Sequence, residues 1–262
     1  MVSVDLTRIR TASDEQIRRA VVPGSGARVE REDRLTRTVA VDGTWAAVVW
    51  SDLAGADVDA AVTAQVERFT TAELEWKHYS HDRPVDLPAR LAAAGFQAEP
   101  AETVLVADLT ELDLPTTLPD GVRLVPVDDA DGANVMVAVH QEVFGSVHPG
   151  TREAVLLALS EQPRPVQAVV AYAGDVAVSA GRVEFHEGTE FASIWGGGTL
   201  PAYRGRGVFR ALVAQRAALA RSRGYRYLQV DAVPMSRPIL ERLGFVAIAE
   251  TTPWMRMPAE RP

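Results

Sequence analysis

Residues 195–212 constrain the fold of this chain more than any other stretch. A strand-like segment leads into a turn punctuated by Gly205 and Gly207, and a helical pattern follows directly. The first backbone N–H groups of a helix lack intrahelical partners and the helix dipole is positive there, so such a turn can hold an anion. Arg204 and Arg206 add positive charge. The stretch therefore predicts a strand, turn and helix around a site the size of a diphosphate.

The residues around these glycines do not fit two common nucleotide-binding motifs. A P-loop ends in glycine, lysine and then serine or threonine, and the turn lacks that order. The G-x-G-x-x-G of dinucleotide-binding folds is also missing. Kinase, NTPase and NAD-dependent functions lose their main support, and an anion site of another kind remains.

Composition narrows the chemistry further. The 262 residues include 27 basic and 35 acidic side chains and no cysteine, for a net charge of -8. Without thiols, a Cys-His nucleophile, an iron–sulfur cluster and a thiolate zinc site are excluded. The acidic balance argues against a nucleic-acid partner. No stretch approaches the roughly 18 to 20 apolar residues of a membrane span, and no apolar signal-peptide core is present, so we expect a cytoplasmic protein without a membrane partner.

Turn-forming residues at positions 109–121 predict a linker. This segment contains two prolines and an Asp-Gly pair, and its hydrophobic residues follow no sustained period. The chain length fits about two domains. We therefore predict a boundary near residue 115, with one domain at residues 1–115 and a second at residues 116–262.

Strand-like and helical patterns alternate in the second half, which predicts an α/β (α+β) fold. The predicted strands are 122–127, 166–173, 176–185, 190–195 and 227–230, followed by a final strand pair. The predicted helices lie around 131–144, 152–161, 208–223 and 236–243.

An internal similarity connects the two halves. Gly95-Phe96 and Gly244-Phe245 each follow a short helical pattern that contains Arg-Leu, and the residues after them are also similar. Asp82 and Asp231 coincide in the same alignment. The similarity favours a duplicated α/β unit whose first copy has diverged further.

The motif and its surroundings resemble the acyl-CoA-binding region of GNAT N-acetyltransferases. The resemblance rests on Arg204–Val208, on Thr199–Pro201 before it and on Leu240–Phe245 after it, and covers about residues 120–258. It implies a mixed, mostly antiparallel sheet that is flanked by helices and splayed between its fourth and fifth strands. With the internal similarity, it implies two GNAT-like domains in tandem, of which the first is a degenerate acetyltransferase-like copy.

The same resemblance implies how acetyl-CoA would bind as a cosubstrate. The loop amides would hold its pyrophosphate, and the backbone of the preceding strand would hold the pantetheine arm. The implied contacts are Gly197, Thr199, Arg204, Gly205, Arg206, Gly207, Val208 and Phe209.

Two positions depart from the family's pattern. Phe209 stands where a second small residue is usual, so either the loop amides fit phosphate less freely or the ring packs under the loop. Leu240 stands where many members have a tyrosine that reprotonates the leaving thiolate. The acid would then be another residue, a water or none, and catalysis would rest on positioning and on backbone N–H groups that polarise the thioester carbonyl.

Acetylation of an amine requires the neutral amine and therefore a base, reached directly or through water. The candidate catalytic residues are Glu184, Asp231 and Ser236. By strand alternation, Glu184 shares a face with Arg182. Asp231 ends the predicted fifth strand, where capping is the alternative role. Ser236 opens the last helix, where an N-cap is the simpler role.

The first half lacks an equivalent phosphate loop. Asp52 and Asp57 occupy the corresponding segment, and their carboxylates would repel a pyrophosphate, so we predict that no CoA binds there. Two nearby histidines, His78 and His81, are an odd number of residues apart and would point to opposite faces of a strand. We therefore predict no metal site.

The predicted function is direct transfer of an acetyl group from acetyl-CoA to an amine within a ternary complex, without a covalent enzyme intermediate. The departures at Phe209 and Leu240 motivate an alternative, a non-catalytic acyl-CoA-binding or sensing module. A scaffold with an unoccupied turn is a third reading. The acceptor, a small molecule or a protein, is not encoded in the sequence. Because fused copies can imitate a dimer within one chain, we expect a monomer with intramolecular domain pairing.

Overall fold

The computed structural model describes residues 5–24, 26–115, 117–146 and 150–258. The chain forms two compact units, and each is built from more than one segment. The first unit comprises Met1–Leu105, Asp231–Ile239 and Ala247–Pro262, and the second comprises Val106–Val230 and Leu240–Val246. Thr116 and the outer ends of the two predicted domains lie outside the described residues, so the boundary near residue 115 stays a prediction.

The N-terminal part of the chain supplies helices and strands in alternation. In chain order these are α1 (Leu6–Ser13), a π-helical turn (Asp14–Arg19), β1 (Ala27–Glu32), β2 (Leu35–Ala40), β3 (Trp45–Ser51), α2 (Val58–Arg68), β4 (Glu73–Tyr79), α3 (Leu87–Ala93), β5 (Gln97–Ala98) and β6 (Glu102–Asp108).

The remaining elements begin after the predicted linker. They are β7 (Val122–Pro126), α4 (Ala130–Phe144), α5 (Thr151–Leu159), β8 (Val166–Ala173), β9 (Val176–Phe185), β10 (Phe191–Thr199), a 3₁₀ turn (Pro201–Tyr203), α6 (Val208–Ser222), β11 (Tyr227–Ala232), α7 (Arg237–Arg242) and β12 (Val246–Arg256).

Both units contain a mixed, mostly antiparallel sheet. In the first unit, β1, β2 and β3 pair antiparallel, β3 pairs parallel with β4, and β4 pairs antiparallel with β12. In the second, β7 to β10 pair antiparallel in chain order, and β10 pairs parallel with β11. Helices flank these sheets, so the predicted fold class is confirmed.

Helix α4 shows how local sequence fixes an element that later frames the site. The Asp129 carboxylate accepts a hydrogen bond from the Gly132 amide at 2.8 Å and so caps the start of the helix. The helix ends at Gly145, whose φ of +77° suits a left-handed C-cap. Between these ends, Met136 and Val139 lie in an apolar core with residues of β8 and β9. This burial holds α4 against the sheet of the second unit.

The two Gly-Phe motifs form matching helix ends. After α3, the Gly95 amide donates to the Ala92 carbonyl and the Phe96 amide to the Leu91 carbonyl, both at 3.1 Å. After α7, the amides of Gly244 and Phe245 donate in the same order, to Glu241 and Leu240, again at 3.1 Å. Both glycines have positive φ and both phenylalanines are buried. The repeated bonding pattern supports a duplicated unit.

One element prediction is wrong. The end of the chain forms a single strand, β12, instead of a strand pair. Its partners, β4 and β5, come from distant parts of the chain. A local pattern reports that residues are extended, but it does not report which segment completes their hydrogen bonds.

Candidate functional site

The glycine loop, residues 204–207, connects the 3₁₀ turn to α6. Arg204 Nε donates to the Thr199 carbonyl at 3.0 Å and thereby ties the loop to the end of β10. Gly205 and Gly207 have φ values of +75° and +83°, a left-handed conformation that L side chains rarely adopt. The Arg206 guanidinium lies 5.2 Å from the centre of the Tyr203 ring. The two glycines thus set the turn, and the two arginines stay at its surface.

Helix α6 begins with free backbone donors. Its N-cap is Gly207, which offers no side chain to cap them. Within the described part of the chain, no hydrogen bond is donated by the backbone N–H groups of residues 205–210. A Cβ placed on Gly205 would meet no described atom within 4 Å, and one on Gly207 would make only ordinary contacts of 3.5 Å, to Arg210 Nη2 and Pro119 Cγ, so side chains do not fill the space at the two glycines. The helix start can therefore accept an external anion.

The strand before the loop has a free edge. The parallel pairing of β10 with β11 spans three residue pairs and ends at Ser193 and Gln229. Residues 196–199 of β10, which include Gly197 and Thr199, have no strand partner on this side among the described residues. A divergence between these strands is what the resemblance implied for the fourth and fifth strands of the domain. Extended ligands can add to such an edge through main-chain hydrogen bonds.

A bulge interrupts β10 next to this edge. The register with β9 shifts between Trp195 and Gly198, and Gly196 adopts a φ of +60°. Helix α4 covers one face here, because a Cβ on Gly196 would lie 2.8 Å from His140 Cε1. Helix α6 covers the other, because a Cβ on Gly197 would lie 3.0 Å from Arg216 Nη2. Glycine is required at the bulge because both helices approach the backbone closely.

Arg216 on α6 fills the space beneath the bulge. Its side chain is buried, and its guanidinium donates to the carbonyls of Leu212 and Arg182 at 3.1 and 3.3 Å. Trp195, at the start of the bulge, accepts a third, longer bond of 3.5 Å. Burial, together with the charge of Arg182, lowers the pKa of Arg216. We interpret Arg216 as a hydrogen-bond donor to the strand carbonyls of Arg182 and Trp195, beside the bulge where the regular pairing of β9 and β10 is interrupted.

The Phe209 ring lies next to β10. A Cβ on Gly197 would lie 3.2 Å from Phe209 Cε2, so the ring packs against β10. The ring therefore fills space beside Gly197 of β10, and how freely the loop amides fit a phosphate stays a prediction.

One face of the β9–β10 ladder is polar. Glu184 accepts a hydrogen bond from Arg182 Nε at 2.7 Å, and both side chains are partly exposed. Ser193 Oγ lies 2.8 Å from His186 Nε2 and accepts a bond of 2.8 Å from Trp195 Nε1. The register pairs Ser193 with Glu184 and Trp195 with Arg182, so these five residues share one face, which we call the polar face.

His140 lies beside the polar face and was not selected from the sequence. Its ring is buried at the Gly196 bulge, and the Arg182 guanidinium lies within electrostatic range. Burial and the charge of Arg182 lower the pKa of His140 to about 4, although the Gly196 backbone acts in the opposite direction. The imidazole is therefore neutral near pH 7. The apolar pattern of α4 hid this residue, since a single histidine among alanines and valines is typical of a core position.

The segment that contains the glycine loop, the bulge and the polar face matches a known protein family. Residues 134–245 match the model of the family described as "Acetyltransferase (GNAT) family". This stretch is a GNAT acetyltransferase domain. The match starts in α4 and ends at Phe245, and it includes the glycine loop, the bulge and the polar face. No functionally curated protein matches the sequence significantly.

Solved structures share the fold over most of the chain. A GCN5-related N-acetyltransferase from Kribbella flavida aligns with a TM-score of 0.70 and 17% identity, over 97% of this chain and 96% of that one. A GCN5-related N-acetyltransferase from Sphaerobacter thermophilus gives 0.60 and 18%, over 87% and 81%. A tandem GNAT protein from the clavulanic acid biosynthesis pathway gives 0.58 and 15%, over 92% and 86%. At these identities the likeness concerns the fold, and the family match of residues 134–245 supports acyl transfer in general.

The three candidate catalytic residues of the sequence fall into different units. Glu184 belongs to the same unit as the glycine loop, whereas Asp231 and Ser236 belong to the first unit. Asp231 Oδ2 lies 2.5 Å from Lys77 Nζ, and its side chain is buried. The Ser236 hydroxyl donates to the Val233 carbonyl at 3.1 Å. The structure therefore groups only Glu184 with the loop of the GNAT domain.

The position where many GNAT proteins carry a tyrosine is buried in this chain. Leu240 is 1% exposed and packs in the second unit. Its side chain has no proton to donate, so the departure read from the sequence is also a departure in the structure.

The corresponding loop of the first unit is occupied by the chain's own carboxylates. Asp57 Oδ1 accepts the Ala60 amide at 3.0 Å and caps α2, and Asp52 Oδ1 accepts the Ala54 amide at 3.3 Å. The helix start that is open in α6 is thus capped in α2. This contrast supports the view that the first unit is a degenerate copy.

His81, one of the two histidines near β4, belongs to a partly buried polar network. His81 lies beyond the end of β4, so the alternation argument does not apply to it, and its Nε2 is 2.7 Å from Asp14. Arg18 connects Asp14 to Asp82 through contacts of 2.6 and 2.7 Å. Across the described residues, no group of three His, Asp or Glu side chains could hold a metal ion. None of the helices formed by the described residues is long and apolar enough to cross a bilayer.

Proposed function

We propose that the GNAT domain transfers an acetyl group from acetyl-CoA to a primary amine, by direct attack in a ternary complex. The observation that carries the proposal is the pairing, within one unit, of an uncapped helix start with an unpartnered strand edge. The first suits a pyrophosphate and the second suits an extended pantetheine arm. A capped helix or a fully paired strand would offer neither.

The proposed cosubstrate contacts divide into two groups along the chain. Backbone N–H groups of the glycine loop and of Val208 and Phe209 hold the pyrophosphate, with Arg204 and Arg206 as flanking charges. The backbone of Gly197 and Thr199 holds the pantetheine arm. This arrangement brings the thioester towards the β10 bulge, where main-chain N–H groups can polarise its carbonyl.

The proposed reaction needs no covalent enzyme intermediate. The amine nitrogen attacks the thioester carbon, the carbonyl oxygen gains charge in the tetrahedral intermediate, and the carbon–sulfur bond then breaks to release the CoA thiolate. Of the three candidate catalytic residues, Glu184 has the best support because it lies on the polar face. Because Glu184 is paired with Arg182, we propose that it acts on the charges beside the bulge. Asp231 and Ser236 have weaker support because each already bonds within the first unit.

A non-catalytic acyl-CoA-binding module is the second candidate, favoured by the buried Leu240. The acceptor of the proposed transferase is an amine on a small molecule or a protein, and we propose that one chain works alone. Turnover separates the two candidates, because a sensor binds CoA without releasing its thiol.

The test follows free thiol while the protein is mixed with acetyl-CoA and a panel of primary amines: a polyamine, an amino sugar, an arylamine and a lysine-containing peptide. Thiol release that depends on an amine supports the transferase. Tight CoA binding without release for any amine favours the sensing module instead.

The variant Gly207→Glu tests the loop itself. It places a side chain and a negative charge at the proposed phosphate site, so we expect the CoA-induced rise in melting temperature, roughly 5 °C at a hundredfold excess over Kd, to disappear. The matched control is Gly188→Glu, a glycine with a φ of +76° at the exposed tip between β9 and β10. A CoA shift that survives in Gly207→Glu contradicts the loop assignment.

A further inference from the structure

His140 is a buried histidine whose Nε2 atom makes no hydrogen bond in the described part of the chain. Its side chain is 3% exposed, and Nε2 is buried without a hydrogen-bond partner among the described residues, although the Gly196 backbone lies close enough to the ring to favour its protonated form. Leaving a buried polar atom unpaired costs stability, about 1 to 3 kcal/mol. Such an atom therefore calls for an explanation, and a substrate group that completes its hydrogen bonding is one.

The position of this nitrogen connects it to the proposed chemistry. A Cβ on Gly196 would lie 3.0 Å from His140 Nε2, which places the ring directly against the bulge of β10. Under the proposed function, the thioester carbonyl is polarised at this same bulge. An attacking amine nitrogen must come within about 3 to 3.5 Å of the carbonyl carbon. If the thioester carbonyl lies at the bulge, this amine lies close to the His140 imidazole.

The charges around His140 keep the ring neutral. Arg182 approaches from β9 and Arg216 from α6, and both oppose protonation of the imidazole. Arg182 is itself paired with Glu184 on the polar face, which fixes the guanidinium in place. The Phe144 ring of the same helix lies 5.7 Å from the His140 ring.

We propose that His140 is the catalytic residue that accepts the proton from the attacking amine and returns it to the leaving thiolate. The proposal rests on the proposed transferase function and deepens it. Arg182 is a positioning residue in this scheme, because its charge opposes protonation of the ring, and Glu184 is one because it pairs with Arg182; neither receives the proton.

The proton balance closes without another reactant. The neutral amine attacks the thioester carbon and becomes a cationic nitrogen in the tetrahedral intermediate. His140 Nε2 takes one proton from that nitrogen, the carbon–sulfur bond breaks, and the imidazolium gives the proton to the CoA sulfur. The products are the amide and free CoA, and His140 is neutral again. This route supplies the acid that Leu240 cannot provide.

The variant His140→Gln tests the proposal with the amine that gives the highest turnover in the wild-type chain. We expect kcat at pH 7 to fall by about a hundredfold, with the KM for acetyl-CoA within about twofold of wild type. The deficit should shrink by about tenfold per pH unit above pH 7, because hydroxide replaces the missing base. The ratio of variant to wild type cancels the ionisation of the amine itself. His78→Gln, a histidine of the first unit, is the matched control and should keep wild-type rates.

The outcomes separate this inference from the function on which it rests. A wild-type chain that never releases thiol overturns both. An active wild type together with a His140→Gln chain of equal rate, or with a deficit that does not change with pH, overturns the role of His140 alone.

A second variant decides the matter if His140→Gln does not fold, as judged by loss of the CoA-induced thermal shift. Arg182→Gln removes a charge that keeps the imidazole neutral, so protonation should inactivate this variant at a higher pH than wild type. The ratio of variant to wild-type rate between pH 4 and 7 measures the shift. An acidic limb that does not move overturns the proposal.

Discussion

Two ionisable side chains of the first unit, Lys77 and Glu102, have pKa values that folding shifts. Lys77, the only lysine of the chain, lies on β4 beside Asp231. Burial opposes its charge, but Asp231 and neighbouring acidic groups outweigh that effect and raise the pKa of Lys77. Glu102 on β6 is affected differently: burial, with the charges of Asp231 and Glu75, raises its pKa to about 7 against the attraction of Lys77. One carboxyl group of this cluster is therefore protonated in the folded chain at mildly acidic pH.

The raised pKa of Glu102 predicts a dependence of stability on pH. Folding favours the protonated carboxyl, so its contribution is complete below the unfolded value near 4.5 and is lost as the pH rises through about 7. We expect the free energy of unfolding of the wild type to fall across this window. Glu102→Gln should lack this fall and exceed wild type above pH 7 by at most about 3 kcal/mol. Urea denaturation at pH 4.5, 6 and 8 measures it.

The control for this experiment is Glu99→Gln, an exposed carboxylate close to β6 in sequence. It should keep the pH dependence of the wild type. Parallel stability curves for the wild type and Glu102→Gln would show that this carboxyl group does not titrate in the window.

At the scale of elements, two helices pack closely against the glycines of β10. Gly196 and Gly198 lie against α4, and Gly197 lies against α6. Their lack of side chains lets the bulge form while both faces remain packed. The same stretch carries the strand edge proposed for pantetheine, so packing and binding impose one requirement on these residues.

Gly198→Ala tests the contact between β10 and α4. The new Cβ would lie 2.6 Å from Val143 Cγ1 and 2.7 Å from Phe144 Cζ, and such overpacking costs about 1 to 3 kcal/mol. Urea unfolding should show this loss, and Val143→Ala in the same chain should restore part of it. Gly24→Ala, where a Cβ meets no described atom within 4 Å, is the control and should change stability little. Equal stability of the two alanine variants would contradict the close packing.

At the scale of the whole molecule, the two units share a plan but differ at one helix start. Each contains a strand, a loop and a helix followed by a parallel strand. In the second unit Gly207 leaves the start of α6 uncapped, whereas in the first Asp57 caps α2 with its carboxylate. The shared plan is what a duplication would produce, and the Asp57 carboxylate is the reason to predict an anion site in the second unit only.

This difference predicts a single acetyl-CoA per chain. Isothermal titration should give a stoichiometry near one, because the capped start of α2 repels a pyrophosphate. Asp57→Ala should lower stability by about 1 kcal/mol through loss of the cap and leave the stoichiometry unchanged. Two equivalents bound by the wild type would refute the assignment of the first unit as a degenerate copy.

Local interactions explain what the sequence by itself determined. The strand, glycine loop and helix at residues 195–212, and the shared face of Arg182 and Glu184, follow from backbone conformation and strand alternation over a few neighbouring residues. The two Gly-Phe helix ends also follow from short-range bonds. These features therefore agree with the expectations drawn from the chain alone.

Contacts between distant residues decided the rest. The Lys77–Asp231 pair joins residues 154 positions apart, and it gave a candidate base a structural partner that no spacing could reveal. Folding likewise places His140 against Gly196 and Arg216 beneath Gly197. Burial and unpaired atoms arise only when separate helices close over a strand, so the tertiary structure alone could single out His140.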